Sequence, residues 1–259
     1  FGLPKKRPEG VADVIEAGAL HGGRMSSRVG LMAAMISAVS VGSGASVGRE
    51  GPAVHLGASL SGWIGRRLHL SHSQTRTLLG CGVAAAVAAS FNAPIAGTLF
   101  ASEVVIGHYA LRAFAPIVIS SVAGTALSRA WFGDFPAFAL AETPLASFWE
   151  FPVFVVLGLM SGGVAMIFMH SIVLAQRLGQ ATPLPLWLKP AVAGLVVGLT
   201  GLAFPQVMGI GYGVTENALL VNISLAMLLA IAVAKIFATA VSIGWGFGGG
   251  VFSPSLVIG

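Results

Sequence analysis

Seven stretches of this chain contain no charged side chain: Val29–Val47, Thr77–Ser102, Ala113–Ser128, Phe151–Gln176, Pro190–Thr215, Asn217–Ala234 and Ile236–Gly259. A helix needs roughly 20 apolar residues to cross a bilayer, and most of these stretches reach or approach that length. A single water-soluble core could not absorb all of them. Charged residues are 9% of the chain and hydrophobic ones 56%, whereas soluble domains carry roughly 25% charge. The chain therefore reads as an all-α, multi-pass integral membrane protein. Its basic residues, Lys5, Lys6, Arg7, Arg24, Arg28, Arg66, Arg67 and Arg76, fall mainly between apolar stretches, where they can set orientation. Basic clusters interleaved with stacking aromatics are missing, so no nucleic-acid partner is expected. No metal or cofactor is expected either: His21, His69, His72, His108 and His170 lack ligand spacing. The lone cysteine, Cys81, excludes an intrachain disulfide.

Glycine is abundant, with 35 residues. Small residues let membrane helices approach closely, and glycine tolerates broken helices where backbone lines a cavity. Two breaks match in layout. Residues 42–52 and 244–254 each run from a glycine-rich loop into a helix start bearing a proline, Pro52 and Pro254. Paired Gly/Pro interruptions point to a transport site between inverted-topology repeats. The expected architecture is one transmembrane domain over 1–259, truncated at both ends. It would hold tilted and broken helices, with a first repeat near 1–132 and a second near 148–259. Along the chain the pattern predicts a polar lead-in over Phe1–Glu9, a short helix over 10–20 and a membrane helix over Arg24–Val41. A polar loop is expected over Leu68–Gln74 and another over Gly133–Ser147.

A helix N-terminus offers unpaired N–H groups and about half a positive charge. Several such ends at membrane depth can hold an anion without a full fixed cation. The candidate ends are Gly10-Val11, Glu50-Gly51 and Val251-Phe252. Glu50 stands in the first turn of its helix beside Arg49, and intramembrane acids are functional by default. The bland alternative is a carboxylate that complements the helix dipole, with Arg49 as its ion-pair partner. Glu103, near the end of an apolar helix, reads as structural, and Lys235 as paired or snorkelling. His55, about a turn and a half beyond Glu50, is a pore-wall candidate. Gly44-Ala45-Ser46-Val47-Gly48 matches a nucleophile elbow formally but lacks the strand that motif needs. An intramembrane enzyme is thus a remote reading, as is an inactive homologue that binds without conducting, and no enzymatic activity is expected.

Gly48-Arg49-Glu50-Gly51-Pro52 resembles the signature of the CLC family of chloride channels and chloride/proton exchangers. Gly249-Gly250-Val251-Phe252-Ser253-Pro254 is similar to its second signature, and Thr77–Gly97 to its middle block. Gly10–Ala17 resembles a degraded form of the first anion-binding motif. The resemblance runs in order over nearly the whole chain. It implies a homodimer in a lipid bilayer, such as a bacterial plasma membrane, with one pathway per subunit for chloride or a similar anion. By position, Glu50 would be the gate. Gly10, Val11, Arg49, Gly51, Gly250, Val251 and Phe252 would surround the anion.

Three departures stand out. Glu9 aligns with a serine that often lends its hydroxyl to the anion. Glu103 matches the acid that precedes the exchangers' internal proton acceptor, which leaves Glu103 as a weak proton-pathway candidate because Val104 occupies the acceptor position. The family's anion-coordinating tyrosine has no counterpart in Tyr109 or Tyr212. Glu50 present with Val104 points to a passive, glutamate-gated chloride channel; a proton-coupled chloride antiporter is the alternative.

Overall fold

The computed structural model describes residues 9–135, 138, 147–220 and 223–259. The lead-in over 1–8 and most of the loop expected over 133–147 lie outside these. Eleven α-helices occur among the described residues and no extended strand does. Two compact units can be told apart: Phe1–Val39, Arg49–Ala137 and Gly248–Gly250 form one, and Ser40–Gly48, Phe138–Phe247 and Val251–Gly259 the other.

The first unit contains α1 (Val11–Leu20), most of α2 (Ser27–Gly42), α3 (Glu50–Arg67), α4 (His72–Phe91), α5 (Pro94–Phe100) and α6 (Leu111–Phe132). A π-helical turn, Ala101–Ile106, extends α5 and is closed by Gly107 at φ 79°. Such turns recur at functional sites. At 16 residues, α2 covers about 24 Å, short of the bilayer's roughly 30 Å core. The helix expected from Arg24 starts later, so Arg24 stays outside it. The predicted loop over Leu68–Gln74 is shorter than expected. Ser71 caps α4 by accepting from the Gln74 N–H at 3.3 Å, while Gln74 accepts from the Ser71 N–H at 3.0 Å. This reciprocal pair fixes the helix start at His72. At the other end Asn92 takes the left-handed conformation, φ 54°, and stops the helix before Pro94.

Close approach holds the first unit together. A Cβ at Gly57 of α3 would stand 2.5 Å from the Gly82 carbonyl oxygen of α4. The two backbones therefore meet only because both residues are glycine. Serines stitch α6 to its neighbours: Ser120 donates to the Cys81 carbonyl at 2.9 Å and Ser121 to the Pro94 carbonyl at 2.6 Å. Val14, Val54, Leu79, Val83, Val105 and Ile117 fill the core between these helices.

The second unit contains α7 (Glu150–Ala181), α8 (Lys189–Ala203), a 3₁₀ turn (Pro205–Val207), α9 (Tyr212–Leu219), α10 (Leu225–Gly244) and α11 (Phe252–Ile258). Three helices, α6, α7 and α10, are long and apolar enough to cross a membrane. At 32 residues, α7 is longer than the hydrocarbon core requires and can cross at a tilt. Only 6% of its most apolar window is buried within the protein, so most of its side chains face outward. It touches α10 where a Cβ at Gly179 would lie 2.8 Å from the Gly244 carbonyl oxygen. The unit's apolar core is small: Val197, Val207 and Ala238, with Phe204, Ala234 and Val241 against them.

Candidate anion pathway

Arg49 precedes α3 with a near-helical backbone (φ −87°, ψ −16°), and Glu50 and Gly51 form the first turn. Pro52 follows where its missing N–H costs nothing. Glu50 is 3% exposed. Arg49 Nε lies 3.8 Å from its Oε1, and the Arg49 side chain is itself half exposed. At that separation the two charges attract without a tight hydrogen bond. The carboxylate thus sits inside the protein at a helix end whose dipole favours negative charge.

Gly51 explains why the signature has glycine there. A Cβ at this position would lie 3.3 Å from the Gly250 Cα. Within the first unit, the segment Gly248–Gly250 therefore runs against the start of α3 and brings backbone from both signatures side by side. Val251 and Phe252, where α11 begins, belong to the second unit and are each partly exposed. The Val251 carbonyl accepts from the Ser255 N–H at 3.0 Å and its hydroxyl at 2.8 Å, normal pairing at a helix start.

At α1 the expected donors divide. The Gly10 N–H already donates to Asp13 Oδ2 at 3.0 Å, and Asp13 is buried. The Gly10 carbonyl accepts from the Asp13 and Val14 N–H groups. Gly10 has no side chain, so this is one half of a capping box, closed from the Asp13 side. An anion at this end would have to draw on Val11 and its successors. Glu9 turns towards α3: its Oε2 lies 3.0 Å from His55 Nε2, and both side chains are buried or nearly so. Nothing in the sequence links residues 46 positions apart, so this pair escaped the motif reading.

Glu103 and Val104 both lie in the π-helical turn and are exposed. Glu103 Oε2 accepts from the Tyr109 hydroxyl at 3.2 Å, which ties the carboxylate to the approach to α6. The sequence did not reveal what holds the glycine-rich loop before Glu50. Ser46 is fully buried; its N–H donates to Ser242 Oγ at 3.2 Å and its hydroxyl pairs with Thr239 Oγ1 at 2.9 Å. Inside the second unit these bonds anchor the loop 40–48 to α10. The serine that mimics a nucleophile elbow is thus a backbone tether. Lys235 is also fully buried, and its ammonium donates to the Val207 and Gly209 carbonyls at 2.9 and 2.8 Å. It is a cation satisfied by carbonyl dipoles, so snorkelling does not apply. Among the described residues no cluster of three or more His, Cys, Asp or Glu side chains could hold a metal.

Known proteins share this fold and sequence pattern. A crystal structure of a CLC-type fluoride/proton antiporter superposes with TM-score 0.79 at 26% identity, covering 98% of this chain and 65% of that one. A slow cyanobacterial Cl−/H+ antiporter gives TM-score 0.84 at 23% identity, over 98% of this chain and 61% of that one, a likeness of fold. The putative chloride channel protein ClcB-like of Ralstonia nicotianae is 35% identical and matches 100% of this chain. The Arabidopsis thaliana chloride channel protein CLC-f is 30% identical over 87% of this chain and 31% of its own length. The chain spans 61% of the length of the Ralstonia relative. A sequence model described as voltage gated chloride channel matches residues 2–259. Signatures, helical architecture and relatives agree: the chain belongs to the CLC family of voltage-gated chloride channel proteins.

Proposed function

We propose that this chain is part of a membrane transporter for chloride or a similar small anion, gated by Glu50 and coupled to protons. The observation that carries the reading is the burial of the Glu50 carboxylate in the first turn of α3, with Arg49 3.8 Å away. A helix start that stabilises a carboxylate offers the same N–H groups and dipole to a free anion. The two compete for one place. Protonating Glu50 removes the competitor's charge and frees the donors, so anion entry and proton binding are linked by charge alone. Within the first unit, backbone around Arg49, Gly51 and Gly250 is the anion's proposed partner, with Val11 preferred over Gly10 at α1.

Proton coupling reverses the weight that the sequence alone gave to a passive channel. It is favoured by the likeness, over 98% of this chain, to a CLC-type fluoride/proton antiporter. The channel remains the second reading. Val104 favours it, because a valine cannot take a proton, and so does the likeness to the Ralstonia putative chloride channel protein. A pair of subunits in a bacterial membrane, each with its own pathway, follows from the resemblance. The test is the complete protein in liposomes, with anion and proton fluxes recorded together. A fixed proton-to-anion ratio supports exchange, anion flux without proton movement supports the channel, and no anion flux overturns both.

A further inference from the structure

We infer that His55, with Glu9 as its counter-ion, is a proton-holding site of the transport cycle, five residues beyond Glu50 on the same helix. The inference rests on the proton-coupled reading above and adds a second group to it.

The geometry sets this histidine apart from a structural one. His55 is 1% exposed and Nε2 lies 3.0 Å from Glu9 Oε2. An ionised carboxylate only accepts hydrogen bonds, so Nε2 carries the ring hydrogen. Nδ1 then bears a lone pair. It is buried and has no hydrogen-bond partner among the described residues. A histidine placed for packing normally spends both nitrogens, because buried polar atoms are costly when unmet. Here one nitrogen is already oriented by an acid while the other stays open to a proton. Protonation makes one N–H bond at Nδ1 and breaks none in the ring. The resulting imidazolium faces the carboxylate it was already bonded to, and release reverses the step.

Burial opposes the imidazolium and is the larger effect, while the negative charges of Glu9 and the buried Asp13, both at the start of α1, favour it, so the ring takes its proton at lower pH than a free histidine. Among the described residues, Glu9 and Asp13 are the charges that act on His55. From α2, Gly30 meets Ser59 of α3; from α4, Gly82 and Ala86 meet Gly57, and Thr75 meets Gly65. The remaining charged groups of α3 are Arg49 and Glu50 at its start and Arg66 and Arg67 at its end. Five residues of helix separate His55 from Glu50 by about 7.5 Å along the axis, with the side chains roughly 140° apart around it. A proton moving between them therefore passes through an intervening hydrogen-bonded group or water rather than by direct contact.

The test uses the complete protein in liposomes, recording protons carried per anion across a range of pH. His55→Gln keeps an N–H donor for Glu9 but cannot hold a proton near neutrality. Its proton-to-anion ratio is expected to fall by about tenfold or more while anions still cross. Glu9→Gln keeps the hydrogen bond but removes the counter-charge, so the pH needed to sustain coupled proton flux should move lower. Wild-type ratios in both variants overturn the inference and leave the coupled reading standing. A wild-type protein that moves anions without protons overturns both. If His55→Gln fails to assemble, the pH shift in Glu9→Gln decides alone, and an unchanged profile there is a refutation.

Discussion

Two buried charges meet opposite chemistry in this fold. The Lys235 ammonium donates to two carbonyls at 2.8–2.9 Å, whereas the buried Glu50 carboxylate stands at a helix start with Arg49 Nε 3.8 Å away. The first arrangement meets a cation with carbonyl dipoles; the second places an anion where a helix end favours negative charge. Lys235→Met keeps the volume of the side chain and loses both charge-assisted bonds. The complete protein in detergent should lose about 2 kcal/mol or more of stability, visible as a lower unfolding midpoint. Glu50→Gln should do the reverse of harm to flux. An amide mimics the protonated carboxyl, so anion flux should rise and lose much of its pH dependence. Unchanged pH dependence in that variant would remove Glu50 as the gate.

Among the helices, the tolerance for added atoms is set by backbone contact. Gly57→Val would drive side-chain atoms into the Gly82 carbonyl of α4. A cost of about 1–3 kcal/mol is expected from overpacking, measured by thermal unfolding of purified protein. Asn92 does two jobs at the end of α4. It adopts the left-handed backbone, and its side chain accepts from Arg129 Nε at 2.6 Å and donates to Asp134 Oδ1 at 2.9 Å. Asn92→Gly keeps the first job and loses the second, while Asn92→Ala loses both. The alanine variant should therefore be the less stable of the two, by a margin of about 1 kcal/mol. The helices themselves were legible in the sequence, because Asn92, Pro94, Pro52 and the glycine runs act through local backbone geometry. The start of α4 was misjudged by about three residues. Its signal, Ser71 with Gln74 three positions on, was present but lay inside a polar stretch that read as loop. The Glu50 signature was legible for the same local reason. The Glu9–His55 and Ser46–Thr239 pairs were not, since each joins distant residues through side chains that leave no periodic trace.

For the molecule as a whole, the bilayer is the missing solvent. Leu159 of α7 is 74% exposed, whereas Ile117 of α6 is fully buried. With Cys81 replaced by serine, a cysteine at position 159 should react with a membrane-soluble maleimide and one at 117 should not. Labelling at both positions would show that the first unit's core opens in the membrane.

The two carbonyl bonds of Lys235 also bear on how the protein is made. A lone lysine at the centre of a membrane helix costs about 2.5–3.5 kcal/mol to insert, and Lys235 lies midway along α10. Its acceptors, Val207 and Gly209, come earlier in the chain and leave the ribosome first. By the time α10 reaches the translocon, the groups that neutralise its cost are already waiting. Insertion of α10 should therefore depend on what was synthesised before it. In a microsomal glycosylation assay, α10 preceded by α8 and residues 205–211 should integrate more completely than α10 alone, and Lys235→Leu should abolish the difference. The order of residues along the chain then serves as a timetable for assembly as well as a recipe for the fold.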